Sequence, residues 1–122
     1  MDMYLDGSIN PMILLADEYQ EEVRRTAFSG LSYPLELATV GLGLTGEAGE
    51  VADLVKKHVG HGHSLDRDKI VKELGDVLWY VSRMADLCSV SLSQVMLENA
   101  RKLRVRYPNG FTSQDSINRK DA

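Results

Sequence analysis

The sequence predicts an all-α fold, a bundle of four to five helices that assembles as an oligomer. Apolar residues recur with the 3.6-residue period of amphipathic helices through most of the chain. No segment shows the period-two alternation of a half-buried strand. At 122 residues the chain has the length of one domain, with enough residues for a single core.

Composition excludes several classes of function. The formal net charge is −4 and no basic run stands out, which argues against a nucleic-acid partner held by general electrostatics. The single cysteine, Cys88, has no partner for an intramolecular disulfide and suits a reducing compartment. Residues 1–7 lack the pattern of a secretory signal, and no apolar stretch reaches membrane-spanning length. We therefore expect a cytoplasmic protein without a membrane partner.

The first helix is expected to follow a flexible leader at residues 1–9. Asn10 is an N-cap candidate, and Pro11 suits the first helical position. An apolar stripe continues from there until Ser29-Gly30 interrupts it. The pattern predicts an amphipathic surface helix that begins at Pro11.

The second helix is expected to run from Pro34 to about Gly60, although four glycines lie inside it, at positions 41, 43, 46 and 49. Each interior glycine costs about 1 kcal/mol relative to alanine. The segment is therefore either two helices with a break near residues 41–46 or one helix whose glycines allow close backbone approach. We favour one helix, with close approach around Gly46 and Gly49.

The third helix can be capped by Ser64 or Asp66 and continues to Cys88. Its apolar surface extends well past one face, because Trp79 and Tyr80 broaden the stripe. A helix that is apolar around most of its circumference is surrounded by neighbours, which a lone bundle of short helices barely supplies. This breadth predicts a homodimer or homotetramer.

The fourth helix is expected to begin at a capping box formed by Ser91 and Gln94 and to end before Tyr107-Pro108. Residues 112–122 are polar and aperiodic, so we expect a flexible tail. The predicted helical domain thus covers residues 10–111.

Two acidic pairs carry most of the functional information: Glu47 with Glu50, and Glu73 with Asp76. Each pair has i,i+3 spacing, which places both carboxylates on one side of a helix. If the two helices pack together, four acids converge, and their repulsion is best relieved by divalent cations. A ligand set made only of oxygen favours Mg²⁺, with Mn²⁺ as the alternative. Solvated surface acids are the alternative interpretation.

Three segments resemble the MazG-like all-α nucleoside triphosphate pyrophosphohydrolases: residues 41–51, residues 72–80 and residues 99–108. The central Glu-x-x-Glu and Glu-x-x-Asp pattern of that family is matched by the two acidic pairs, with 22 residues between Glu50 and Glu73. The resemblance extends from about Tyr19 to Phe111 and implies a MazG-like helical bundle.

The resemblance implies Mg²⁺-dependent cleavage between the α- and β-phosphates of a (d)NTP, which yields a monophosphate and pyrophosphate. Ions held by carboxylates would neutralise the triphosphate and acidify a bound water. Either Glu47 or Glu50 could accept the proton of that water, and the sequence does not choose between them. It also leaves open the base and sugar preference.

Two candidate substrate contacts lie near the acidic pairs. Lys57 is seven residues after Glu50, two turns along the same face, and could pair with phosphate oxygens. A solvated lysine that favours the helix dipole is the alternative. Tyr80 lies one turn after Asp76 and could contact substrate, or it could simply belong to the core.

Three further candidates lie on other helices. Asn99 and Lys102 share one face of the fourth helix with Arg106 and could meet phosphate, sugar or base, or form an exposed polar face. Gln20, on the first helix, could contact base or sugar, or lie on the helix surface.

Two other functions stay open. A relative on the same fold could hydrolyse another phosphorylated nucleotide, such as dUTP or phosphoribosyl-ATP. A helical interaction module without catalysis could retain the acids for structural Mg²⁺ or for none.

Overall fold

A computed structural model describes residues 15–28 and 30–121. The elements in these ranges are five helices, and no strand lies among them: α1 (Ala16–Thr26), α2 (Tyr33–His61), α3 (Arg67–Leu87), α4 (Leu92–Arg106) and α5 (Ser113–Asn118). The predicted all-α class is confirmed. Within the same ranges, no helix combines the length and the apolar character needed to cross a membrane.

Helix α1 begins later than predicted. The backbone of Leu15 is extended, with φ −75° and ψ 155°, so the expected continuous helix from Pro11 is wrong. The Leu15 N–H donates to Glu18 Oε2 at 3.4 Å, and acids in the first turn favour a helix start at this position. The predicted leader and the Asn10 cap lie outside the described residues.

Helix α2 is one continuous helix of 29 residues, as favoured over the broken alternative. It ends where Gly62 adopts a left-handed backbone with φ 74°, a conformation that suits glycine. Residues 62–66 then reverse the chain, and Asp66 caps α3 by accepting from the Lys69 N–H at 3.1 Å. Helices α2 and α3 therefore form an antiparallel hairpin.

Helices α2 and α3 make a tight contact at Gly43, where the ring of Tyr80 occupies the space that a Cβ atom would need. The expected close approach at Gly46 and Gly49 is wrong for this chain, because nothing lies within 4 Å of a Cβ at either position. The same is true of Gly75. Of the glycines in α2, Gly43 is therefore the one against which α3 packs most tightly.

Helix α1 is attached to α3 mainly through Asp86. This carboxylate accepts from Gln20 Nε2 at 2.8 Å, from Arg24 Nη2 at 2.7 Å and from Arg83 Nη1 at 3.3 Å. Gln20 is buried, and its Oε1 accepts from the Leu92 N–H at 2.8 Å, which also ties the start of α4 to α1. One polar network thus joins three helices.

The predicted capping box of α4 is present in part, since Ser91 Oγ accepts from the Gln94 N–H at 3.1 Å. Within the tail, residues 113–118 form the short helix α5. Thr112 caps this helix through the Asp115 N–H at 3.0 Å. Beyond it, Asp121 accepts two hydrogen bonds from Arg106, both at 2.6 Å, which returns the chain to the end of α4.

We expect Asp86→Asn to lower the free energy of unfolding by about 2 kcal/mol, because an amide loses the charge-assisted hydrogen bonds that join α1 to α3. Urea denaturation at equal protein concentration measures the effect. The control is Glu98→Gln, which breaks an exposed pair with Arg101 and should change stability by less than about 0.5 kcal/mol. Equal midpoints for the two variants would contradict the assigned role of Asp86.

Gly43→Ala should destabilise the protein by about 1–2 kcal/mol, because the new methyl group overlaps the Tyr80 ring and this overpacking outweighs the better helix propensity of alanine. The matched control is Gly60→Ala in the same helix, where the Cβ meets open space. That substitution should stabilise by up to about 1 kcal/mol. Similar stability of the two variants would show that the Gly43 contact is not tight.

Candidate metal and nucleotide site

Three of the four predicted acids meet where α2 and α3 pack. Glu47 of α2 and Glu73 and Asp76 of α3 each offer one carboxylate oxygen, and these oxygens all lie within 4.8 Å of one another. Glu47 is one helical turn beyond Gly43, whereas Asp76 is one turn before Tyr80. Because α2 and α3 are antiparallel, one turn forward from Gly43 and one turn back from Tyr80 lead in the same direction in space. Glu47 and Asp76 therefore lie at the same level, next to the Gly43 contact.

Glu50 lies one turn further along α2, is exposed, and stands outside this group of three. Its charge still acts on Glu47, where it adds to the other negative charges. Of the four predicted acids, Glu50 therefore lies outside the carboxylate group that the other three form.

The acidic group is electrostatically strained. The pKa of Glu47 is raised, first because burial disfavours its charged form, and then because the charges of Asp76 and Glu73 oppose ionisation. A hydrogen bond with Glu73 acts in the same direction. A divalent cation would relieve this repulsion, and three carboxylates form a hard oxygen ligand set that suits Mg²⁺ or Mn²⁺.

A recess of about 250 Å³ opens beside these acids and is lined by Glu47, Asp76, Trp79 and Tyr80. The two rings pack edge to face, with centroids 4.9 Å apart and planes at 76°. Trp79 Nε1 donates to Thr26 Oγ1 at 2.8 Å, which fixes the indole against α1. The predicted candidate Tyr80 therefore lies in the wall of the acidic recess.

Tyr19 was not singled out as a site residue, yet its side chain reaches this region from α1. Its hydroxyl is 3.5 Å from the carbonyl oxygen of Gly75. The pKa of Tyr19 is raised by burial and by the negative charge of Asp76. The only sequence signal at Tyr19 is that the family resemblance begins there, which does not reveal what the side chain contacts.

The predicted phosphate ligand Lys57 is held by Asp53, with Nζ 2.7 Å from Oδ2. Lys56 pairs with the same carboxylate at 3.0 Å. These two lysines lower the pKa of Asp53 to about 2, and Asp53 in turn raises the pKa of Lys57. Sequence reasoning missed Asp53, although it continues the i,i+3 series of Glu47 and Glu50.

The remaining candidates lie away from the recess. Gln20 is buried at 1% exposure, and its amide bonds Asp86, the Val90 carbonyl and the Leu92 N–H, so its position corresponds to a structural role rather than a substrate contact. Asn99 and Lys102 are exposed on α4 and are not among the residues that line the recess.

This arrangement defines a class of protein: a helical domain in which two packed helices present a carboxylate group beside an aromatic recess. The MazG nucleotide pyrophosphohydrolase domain matches residues 36–111, which include α3, α4 and most of α2. The chain is also 39% identical over 97 residues to the Gene 37 protein of Mycobacterium phage L5. This alignment covers 76% of this chain and 80% of the phage protein. No solved structure matches.

The chain therefore belongs to the MazG nucleotide pyrophosphohydrolase family, and the predicted family is confirmed. Glu47, Glu73 and Asp76 lie inside the matched segment, whereas α1 and α5 lie outside it.

Proposed function

We propose that this protein is a divalent-metal-dependent nucleotide pyrophosphohydrolase that converts a (d)NTP into a (d)NMP and pyrophosphate. The observation that carries the proposal is the convergence of Glu47, Glu73 and Asp76 within the segment that matches the family. Family membership supports the reaction class, and the carboxylate geometry supports the metal.

Glu47, Glu73 and Asp76 would hold the cation, with Mg²⁺ as the first candidate and Mn²⁺ as the second. When bound, the ion supplies positive charge that neutralises the phosphates and lowers the pKa of a water. Glu50 is exposed and outside the group of three, so it has a carboxylate free of that grouping to accept the proton of the attacking water. Glu47 is the alternative base.

Tyr80 would contact the substrate from the wall of the recess. Lys57 would bind the substrate phosphates only after its ion pair with Asp53 breaks, because its ammonium group is bound to that carboxylate. Asn99 and Lys102 would contribute from α4 if a second copy of the chain brings them to the recess.

A second copy is supported by the apolar surface. Among the described residues, only Val23, Val40, Ala85 and Leu92 are buried apolar residues. Large apolar side chains are exposed on α2, α3 and α4: Leu42, Val55, Val59, Val71, Leu74, Leu78, Val95, Met96, Leu97, Leu103 and Val105. Exposure on this scale marks an association surface, and we propose a homodimer or homotetramer.

A nucleotide panel with Mg²⁺, separated by chromatography, tests the reaction. Wild-type protein should give NMP and pyrophosphate in equal amounts, because attack at the α-phosphorus releases pyrophosphate. Including dUTP and phosphoribosyl-ATP distinguishes the related hydrolases. NDP with inorganic phosphate would show attack at the γ-phosphorus and contradict the proposal, and no turnover of any nucleotide would favour the interaction module.

Asp76→Asn should lower kcat/KM by at least about 100-fold, since even outer-shell partners of metal ligands cost about 10- to 100-fold. Its stability in urea should be unchanged or higher, because one of three repelling charges is removed. Asp68→Asn, in the first turn of the same helix, is the control and should keep full activity. Equal activity of both variants would eliminate the proposed site.

Light scattering at micromolar concentration should give a mass of at least twice 13.6 kDa, because the exposed apolar faces favour association. Leu78→Glu, in the exposed apolar surface of α3, should shift the mass toward the monomer. A well-folded wild-type monomer would contradict the proposed assembly.

A further inference from the structure

A second cavity shares Trp79 and Tyr80 with the acidic recess. Its volume is about 150 Å³, and the two aromatic residues belong to both linings. The other lining residues come from α2, from α3 and from the segment between α1 and α2: Phe28, Leu31, Glu36, Thr39, Val40 and Arg83. A molecule bound at the acids could therefore extend past the rings into this cavity.

The lining combines apolar walls with one ion pair. Phe28, Leu31 and Val40 supply the apolar surface together with the aromatic pair. Arg83 Nη2 lies 3.4 Å from Glu36 Oε1, and the side chains are only 12% and 21% exposed. Predominantly apolar walls with a few placed polar groups are the usual composition of a small-molecule site.

A second carboxylate, that of Asp86, also holds the Arg83 side chain of this ion pair. Arg83 Nη1 donates to Asp86 Oδ2 at 3.3 Å, and the same carboxylate is bound by Arg24 and Gln20 of α1. The guanidinium is therefore fixed between two carboxylates, and one of these is Glu36 in the cavity wall. Groups whose orientation is set before binding discriminate between ligands better than mobile ones.

We propose that this cavity receives the nucleobase of the substrate and that Glu36 and Arg83 are specificity-determining residues that read its edge. This inference rests on the proposed nucleotide substrate. The cavity is far smaller than the pockets of about 300–1,000 Å³ that enclose whole drug-sized ligands, so it suits a single ring system. The phosphates then lie toward the acids, in the recess that shares the aromatic pair with this cavity.

The ion pair favours bases that carry an exocyclic amino group beside a ring acceptor. An ionised carboxylate only accepts hydrogen bonds and a guanidinium only donates them. Cytosine offers an amino group to Glu36 and an adjacent ring nitrogen to Arg83. Uracil has a carbonyl in place of that amino group, so it would face the carboxylate with another acceptor. The single-ring size and this polarity together favour cytosine over uracil.

Trp79 is the only tryptophan of the chain and lines both the cavity and the acidic recess, so its fluorescence reports on a nucleotide bound at either. We expect dCMP to quench Trp79 with a Kd about tenfold lower than dUMP, because the loss of one hydrogen bond to a charged group costs about that much affinity. Monophosphates are used so that the result does not depend on turnover. Parallel titrations with Mg²⁺ and with a chelator distinguish the affinity that the base contributes from the affinity that the metal contributes.

Glu36→Gln should bring the two Kd values within about twofold of each other, since an amide can donate as well as accept. The matched control is Glu22→Gln: Glu22 is also 21% exposed and pairs with an arginine at 3.2 Å, but it does not line the cavity. The control should keep the tenfold preference. Urea denaturation checks that both variants are folded.

Equal Kd values in the wild type, or no saturable quenching by either nucleotide, would overturn the proposal even if Glu36→Gln failed to fold. An unchanged preference in folded Glu36→Gln would overturn it as well. The reaction is tested separately: a preference for dCMP without any hydrolysis of triphosphates would reject the proposed function alone, whereas hydrolysis of triphosphates without a base preference would reject this inference alone.

Discussion

The packing of the Tyr80 ring on Gly43 is the contact on which the site depends. It limits how closely α2 and α3 approach at this level, because the ring occupies the space that a larger residue at position 43 would fill. One helical turn from this contact, the register of the two helices brings Glu47 opposite Asp76. A shift of one residue along either helix would rotate these side chains by about 100° and separate the carboxylates.

Stability and function share several residues in this chain. Asp86 attaches α1 to α3 and at the same time orients Arg83, which lines the apolar cavity. Thr26 of α1 fixes the indole of Trp79, which lines both the cavity and the acidic recess. Helix α1, which lies outside the matched family segment, therefore supports the site through side-chain hydrogen bonds. The like-charge acids have the opposite effect, since their repulsion opposes the packing that assembles them.

The helical periods predicted α2, α3 and α4 well, because each is long and has a clear apolar stripe and a capping residue. The start of α1 was wrong, since Leu15 continues the apolar period yet acts as a cap with extended backbone. Helix α5 was missed because its six residues are too short to show a period. Neither error affects the residues that line the acidic recess.

The acidic pairs predicted a meeting of carboxylates, but the spacing alone does not reveal that Glu50 stands apart from the other three. Which glycine carries the close contact depends on the partner helix, so Gly43 could not be distinguished from Gly46. The role of Gln20 was equally hidden. Its hydrogen-bond partners lie 66 to 72 residues away in the sequence, and only the folded chain brings them together.

The central claim is that Glu47, Glu73 and Asp76 hold a divalent cation. Crystals of the wild-type protein grown with Mn²⁺ and measured for anomalous scattering test it directly. The account predicts an anomalous peak at bonding distance from carboxylate oxygens of all three residues, about 2.0–2.3 Å for an oxygen-bound divalent ion of this size. Peaks only at other positions, with these three carboxylates unliganded, would contradict it.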